Sequence, residues 1–243
     1  MQTSAARMQL MHPNITRTCK EVEIYESLLR LDGAKVLELG CGKADHTRTI
    51  AQAHPSANIT AAEVDKIQHA KNLAAEPLAN LAFADFGAES IPLADASIDL
   101  VMMFRSLHHV PHERMDDAFR EIRRVLRPGG LAYISEPVYA GAFNEMSRIY
   151  NDEEKVRKAA FDSVCRAVDN GLLELVSQTY FLNPVKYKNF AEFAKKHFVI
   201  THQERNVTDE QAAAIERLFN MHLGPDGVKL TQPMRIDLLR KPA

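Results

Sequence analysis

The sequence predicts a doubly wound α/β fold, a mostly parallel sheet with helices on both faces. Three observations predict it. Short apolar runs at Lys35 to Leu39, Asn58 to Glu63, Asn80 to Ala84 and Ile98 to Phe104 alternate with helical patterns of about ten residues. Such spacing demands crossover connections, and crossovers make neighbouring strands parallel. Gly40 and Gly42 stand where the first strand turns into a helix, so ligand atoms can approach the backbone there. The chain has 243 residues, 46% hydrophobic and 26% charged, enough to bury the core that such a sheet needs.

The elements follow in chain order. Thr18 and Glu21 have capping-box spacing ahead of Val22, Tyr25, Leu28 and Leu29, which predicts a leading helix of about three turns ending near Asp32-Gly33. Lys35-Val-Leu-Glu-Leu39 is a short buried strand, followed by a helix from about Asp45 to Ala53 and a break at Pro55. The pattern repeats with a strand to Glu63, a helix from Lys66 to Ala75 and a strand at Asn80 to Ala84. Ile98-Asp-Leu-Val-Met-Met-Phe104 is the most apolar strand. A helix from about His112 to Leu126, the Pro128-Gly129-Gly130 stop and a strand from Leu131 to Ser135 come next. From Tyr139 to Lys188 the reading is helix-rich, including Asp152 to Leu175, and predicts an insertion over the sheet. The segment Phe198 to Arg205, a helix from Asp209 to about His222, a turn at Gly224-Pro225-Asp226-Gly227 and a strand from Met234 to Arg240 complete the layout at one sheet edge.

Composition narrows the function. A formal net charge of -2 supplies no overall drive toward nucleic acid or anionic lipid. No run approaches the roughly 18 apolar residues of a membrane span, and the N-terminus lacks a signal-peptide core. Cys19, Cys41 and Cys165 are odd in number and scattered, without zinc-site or disulfide spacing, so a cytoplasmic protein without a metal site is expected.

The chemistry is concentrated in Glu38-Leu-Gly40-Cys-Gly42-Lys-Ala44-Asp45. A dinucleotide fingerprint would need a third glycine at the position of Asp45, whose charge opposes a pyrophosphate. The segment instead resembles the first motif of the class I S-adenosylmethionine-dependent methyltransferases, with Ala44 in place of the third glycine. The resemblance continues in order through Glu63-Val64, Ala84-Asp85-Phe86, Ile91 to Asp99, Phe104 to Val110 and Glu121 to Leu131.

It implies a seven-stranded sheet and S-adenosylmethionine as cofactor. It also implies a role for each matched residue: Glu38 for the methionyl amino group, Gly40 and Gly42 for backbone approach, Glu63 for the ribose hydroxyls and Val64 for the adenine face. Asp85 and Phe86 would meet the base, and Phe104 is a further cofactor contact. Asp65, two positions beyond Glu63, reads as a helix cap.

For the chemical step, His108 and Tyr139 are the candidate catalytic groups, at the carboxyl ends of strands where ligands bind in open α/β sheets. A hydrogen-bonded structural role competes for both, and for His109, Arg105 and Glu136. Tyr139, Tyr150, Tyr180 and Tyr187, with Phe143, Met146, Phe161 and Phe181, form either an aromatic lid over the acceptor or the core of the insertion. The basic run from Arg120 to Arg127 reads as a solvated helix face.

The chain is therefore read as one domain, with residues 1–33 a helical cap, 34–138 the cofactor-binding core, 139–188 a helical lid and 189–243 the closing strands. The expected acceptor is a small molecule, with no nucleic acid or membrane partner and an open oligomeric state. A methyltransferase acting on RNA or protein, or a binding protein that keeps the cofactor without catalysis, are the alternatives.

Overall fold

The fold was analysed in a computed structural model that describes residues 8–198 and 206–243. The elements in chain order are α1 (Glu21–Leu28), β1 (Lys35–Leu39), α2 (Asp45–Ala53), β2 (Asn58–Ala62), α3 (Lys66–Ala74), β3 (Leu81–Ala84), β4 (Ile98–Phe104), α4 (Met115–Val125) and β5 (Leu126–Pro137). Then come α5 (Ala142–Ser147), α6 (Glu154–Asp169), β6 (Glu174–Tyr187), α7 (Phe190–His197), α8 (Asp209–Asn220), β7 (Leu223–Gly224) and β8 (Gly227–Arg240). Seven strands lie in the order β3-β2-β1-β4-β5-β8-β6, and the two-residue β7 pairs with β8. The strands β1 to β5 are mutually parallel, and β8 runs antiparallel to both β5 and β6.

Strand β4 shows why the parallel half reads as continuous apolar sequence. Leu100, Met102 and Phe104 enter a core with Ile24 and Tyr25 of α1 and Ile50 of α2. Val101 and Met103 enter the opposite core, with Phe119 and Ile122 of α4 and Phe161 and Val164 of α6. Both faces are dry, so alternation of side chains leaves no polar position in the central strand except Asp99 near its start.

Three expectations are corrected. The stretch 139–188 is not wholly helical, because Glu174–Tyr187 forms the 14-residue edge strand β6. The final strand is not at the edge and begins at Gly227 instead of Met234; it is inserted between β5 and β6. Its pairing with β6 runs over residues that carry no apolar-polar alternation strong enough to mark a strand. Finally, α1 is capped at Lys20, where the Glu23 carboxylate accepts from the Lys20 N–H (2.9 Å), and it spans 8 residues. Thr18 instead forms an isolated parallel bridge with Leu182. The expectation for 199–205 lies outside the described residues.

The insertion aromatics divide among three cores. Phe161 packs under α6 on one face of the sheet and Phe181 packs with α1 on the other. Phe143, Met146 and Tyr187 form a separate cluster with Phe193, Ile215 and Phe219 of α7 and α8. These aromatics hold α5, α7 and α8 onto the far ends of β6 and β8. The charges of the Arg120 to Arg127 run are spent in local pairs: Arg120 with Asp117, Arg124 with Asp95 and Glu121, Arg127 with Asp99. Cys19, Cys41 and Cys165 are free thiols. No helix among the described residues is long and apolar enough to cross a membrane.

The second face of β8 holds a buried ion pair. The Arg235 Nε donates to Asp237 Oδ2 at 2.9 Å, Gln178 Nε2 donates to Asp237 Oδ1 at 2.7 Å, and the Arg235 guanidinium lies 4.5 Å from the centre of the Phe161 ring. Neither charged side chain reaches solvent. Removing one member strands the other charge, a loss of about 3–5 kcal/mol in comparable buried pairs. Arg235→Leu should therefore lower the unfolding free energy in urea by that amount, while the Arg235→Leu, Asp237→Leu double variant recovers much of it. A single variant with the stability of the parent would show that the pair does not hold β8 in place.

Candidate active site

In the sheet order the chain direction of growth reverses between β1 and β4, and in such sheets a crevice opens outside the carboxyl ends of those two strands. Gly40 follows β1 directly, and Ser106 stands two residues past the end of β4. Gly40 has φ +69, and a Cβ built on it would sit 2.6 Å from the Ser106 Cβ. The Ser106 hydroxyl closes the contact by donating to Leu39 O at 2.7 Å. Gly42 (φ 52) and Ala44 (φ 59) continue the loop in the left-handed region, so α2 starts from a strained alanine where the family pattern has glycine. Arg105, at φ 57, is strained on the opposite wall.

Alternation along β1 puts Val36 and Glu38 on the α2 side, with Leu37 and Leu39 on the other. Glu38 is buried and accepts a short hydrogen bond from the Thr47 hydroxyl of α2. Burial pushes its carboxyl up to about 8, against the Thr47 hydrogen bond, with Glu21, Asp45 and Glu63 adding repulsion. Its surroundings thus make a charge on Glu38 costly, a cost that a nearby cation would lower and a phosphate would raise.

Glu63, just past the end of β2, ties the same loop together. Its Oε2 accepts from the Gly42 N–H at 2.7 Å and its Oε1 from the Asp65 N–H at 2.8 Å. Each oxygen keeps a second lone pair for a ligand hydroxyl. Asp65 turns away and caps α3, accepting from Ile67 N and Gln68 N. Val64 between them is 62% exposed. Asp85 is exposed, and Phe86 leans on the core beneath. The ring of Phe104 is less open than expected: His46 stacks on it at 4.2 Å between centroids, while Tyr25 and Tyr133 meet its edge and face.

The structure adds residues that sequence reasoning did not assign. Glu21, read as a helix cap, is buried at the mouth of the crevice, 3.4 Å from Arg105 Nη2, 3.8 Å from His46 Nε2 and 3.5 Å from the Tyr133 hydroxyl. Burial lowers the pKa of His46 in spite of Glu21, so His46 is the neutral member of this group. Thr47, Ser106 and Asn72, whose Nδ2 donates to Gly42 O at 2.8 Å, fix the loop. Capping and helix-surface roles suited these polar residues equally well, so no pattern in the sequence marks them.

His108 and Tyr139 are brought toward one segment, Asp152-Glu153, just ahead of α6. The Tyr139 hydroxyl donates to Asp152 Oδ1 at 2.9 Å. His108, in a 3-10 turn at Leu107–His109, is buried with Nδ1 2.5 Å from Glu136 Oε2 and Nε2 3.9 Å from Glu153 Oε2. Glu136 also accepts from the Leu107 N–H at 3.0 Å. Burial disfavours a charged His108, yet Glu136 and Glu153 outweigh it and raise its pKa. Partial burial and the Asp152 bond likewise raise the Tyr139 phenol. Both groups hold their protons more firmly than free side chains do.

Comparison with known proteins agrees with this geometry. A family model described as "Methyltransferase domain" matches residues 36–130, the stretch that contains β1 to β4 and the glycine loop. A ubiquinone/menaquinone biosynthesis C-methyltransferase of Pseudomonas paraeruginosa is 32% identical over 132 residues, covering 52% of this chain and 50% of that protein. The 24-methylenesterol C-methyltransferase 2 of Oryza sativa subsp. japonica is 30% identical over 130 residues, covering 51% and 34%. The chain thus spans about half, or less, of the length of these curated relatives. Among solved structures, the YcgJ protein of Bacillus subtilis superposes with a TM-score of 0.59 at 17% identity, covering 91% of this chain and 97% of that one, which establishes a shared fold. Over residues 36–130 the chain is thus similar to the methyltransferase domain family, and the whole is built on a fold shared with the YcgJ protein.

Proposed function

We propose that the protein binds S-adenosylmethionine in the crevice between β1 and β4 and transfers its methyl group to a small-molecule acceptor held under α5 and α6. The observation that carries the cofactor reading is Glu38, a buried carboxylate that takes its hydrogen bond from a hydroxyl instead of a cation and is destabilised as an anion until a positive group joins it. The ammonium of a methionyl group meets that need, whereas a dinucleotide phosphate would worsen the repulsion. Gly40 and Gly42 leave room for close approach, Glu63 offers lone pairs to the ribose hydroxyls, and Val64, Asp85 and Phe86 lie where the base would rest.

When bound, S-adenosylmethionine supplies an electrophilic methyl group on a sulfonium. The chain's own residues orient and enclose. Displacement at a sulfonium needs chiefly an in-line approach at about 3 Å and exclusion of water. His108 and Tyr139 fit that task as positioning groups on the acceptor's wall, since each is held in place by a carboxylate. Two relatives named as C-methyltransferases, one of ubiquinone/menaquinone biosynthesis and one of 24-methylenesterol, support a small-molecule acceptor for this chain as well.

Calorimetry tests the cofactor directly: S-adenosylhomocysteine should bind at micromolar or tighter Kd, and NADP should give no heat. Tight NADP binding without a response to S-adenosylhomocysteine would overturn the proposal. At the ribose, Glu63→Ala should weaken S-adenosylhomocysteine by about 1–3 kcal/mol, the cost of buried hydroxyls left without a charged acceptor, and Asp65→Ala by much less. The reverse order would put the wrong side chain in the site.

Glu38 gives a pH signature. Its folded pKa lies above that of an unfolded glutamate, so the folded state binds the extra proton between about pH 4.5 and pH 8 and stability falls as pH rises through that window. Denaturation of the cofactor-free protein at pH 5, 6.5 and 8 should show this decline, and Glu38→Gln should flatten it. Binding of S-adenosylhomocysteine near pH 6.5 should release a proton, visible as a dependence of the calorimetric heat on buffer ionisation enthalpy. A buffer-independent heat would separate Glu38 from the ammonium.

A further inference from the structure

The cluster around His108 contains more than the positioning of an acceptor requires. One ligand-capable atom each from His108, His109 and Glu153 lies within 4.8 Å of the other two, and the two imidazole rings are 4.1 Å apart between centroids. From this juxtaposition we infer a binding site for one divalent transition-metal ion, held by His108 Nε2, a ring nitrogen of His109 and a Glu153 carboxylate oxygen.

The separation of His108 Nε2 from Glu153 Oε2 decides between two readings. At 3.9 Å it is too long for a hydrogen bond. Two ligands on a common metal, each at about 2.0–2.2 Å, stand about 3–4.3 Å apart depending on the angle between them. The gap therefore suits an ion and does not suit direct contact.

The surroundings are those of a prepared ligand set. Glu136 takes the His108 Nδ1–H, which leaves the Nε2 lone pair directed away from Glu136, and Glu136 is itself anchored by the Leu107 N–H. A carboxylate that holds the far nitrogen of a histidine is the usual outer partner of a metal-bound imidazole. Glu153 is oriented too: Asn151 Nδ2 donates to its Oε1 at 2.6 Å and Arg157 Nη2 to its Oε2 at 2.6 Å. Arg157 neutralises part of the Glu153 charge, while Glu136 adds a negative charge one bond behind His108. His109 is exposed, so an ion has a route in from solvent.

Two imidazoles and one carboxylate select zinc, cobalt, nickel or ferrous iron over magnesium and calcium, which prefer all-oxygen shells. Three protein ligands leave at least one position for water or an oxygen of a bound molecule. The site lies beyond the carboxyl ends of β4 and β5, at the same end of the sheet as the glycine loop. Its existence does not depend on the methyltransferase reading.

The experiment uses the full chain, stripped with a chelator and titrated with Co2+ while visible absorption and calorimetric heat are recorded. One equivalent should bind at micromolar affinity with the absorption of a nitrogen- and oxygen-ligated ion, and Zn2+ should displace it. His109→Ala and Glu153→Gln should each weaken binding at least about tenfold. His112→Ala, one turn further along the chain, should leave it unchanged, and circular dichroism establishes that each variant is folded. Binding of S-adenosylhomocysteine to the stripped protein is measured in parallel, so loss of one activity is told apart from loss of the other. No saturable Co2+ signal, or equal affinity in all four proteins, would overturn the metal site.

Discussion

The close approach of the chain at Gly40 and Ser106 is the constraint around which this molecule is arranged. Parallel strands β1 and β4 lie side by side, and the segments leaving them would collide if either residue carried more than it does: a Cβ at Gly40 would come within 2.6 Å of the Ser106 Cβ. With glycine there, the loop can turn back over the strand ends, and α2 can begin at Asp45 with its first amides near the crevice. The left-handed backbone at Gly42, Ala44 and Arg105 surrounds this point on both sides. Non-glycine residues in that region cost free energy, and the surrounding sheet and helices hold them there.

Carboxylates govern the electrostatics around that turn, and each is treated differently by its neighbours. Glu38 meets a hydroxyl and three other acids, so its charged form is disfavoured. Glu136, equally buried, meets His108 with Arg235 nearby; burial would raise its pKa, but these charges outweigh it and lower it. Glu63 neutralises no cation but takes two backbone N–H groups, bridging the glycine loop to the start of α3. Around Glu38 a charge lacks a cationic partner among the described residues, whereas around Glu136 and Glu153 the charges are balanced through His108 and Arg157.

The closing half of the chain solves a packing problem and a positioning problem together. Strand β8 enters between β5 and β6 and buries Arg235 and Asp237 beneath α6, whose preceding residues Asp152 and Glu153 reach Tyr139 and His108. Phe143 and Tyr187, two of the aromatic residues weighed as either a lid or a packing core, knit α5, α7 and α8 to the far ends of β6 and β8. That rigid mount fixes the Asp152-Glu153 segment over the strand ends.

By itself, the sequence determined the parallel half of the sheet and its glycine turn. There the signals are local: apolar runs buried on two faces, helical spacing between them, and glycines forced by backbone conformation. Elements such as Asp45–Ala53 and Ile98–Phe104 were legible to the residue, and Glu63 and Asp65 were separable because strand alternation and helix capping act within three positions. Only the tertiary structure decided the rest. Strand β6 is an edge strand of mixed polarity whose identity depends on β8, about fifty residues later, so no local period announces it. Glu21, Thr47 and Glu153 gain their roles from partners 9 to 112 residues away, and a side chain's spacing along the chain says nothing about a partner delivered by the fold. Burial then sets their charges, and burial is a property of the assembled cores, which no single segment of the chain contains.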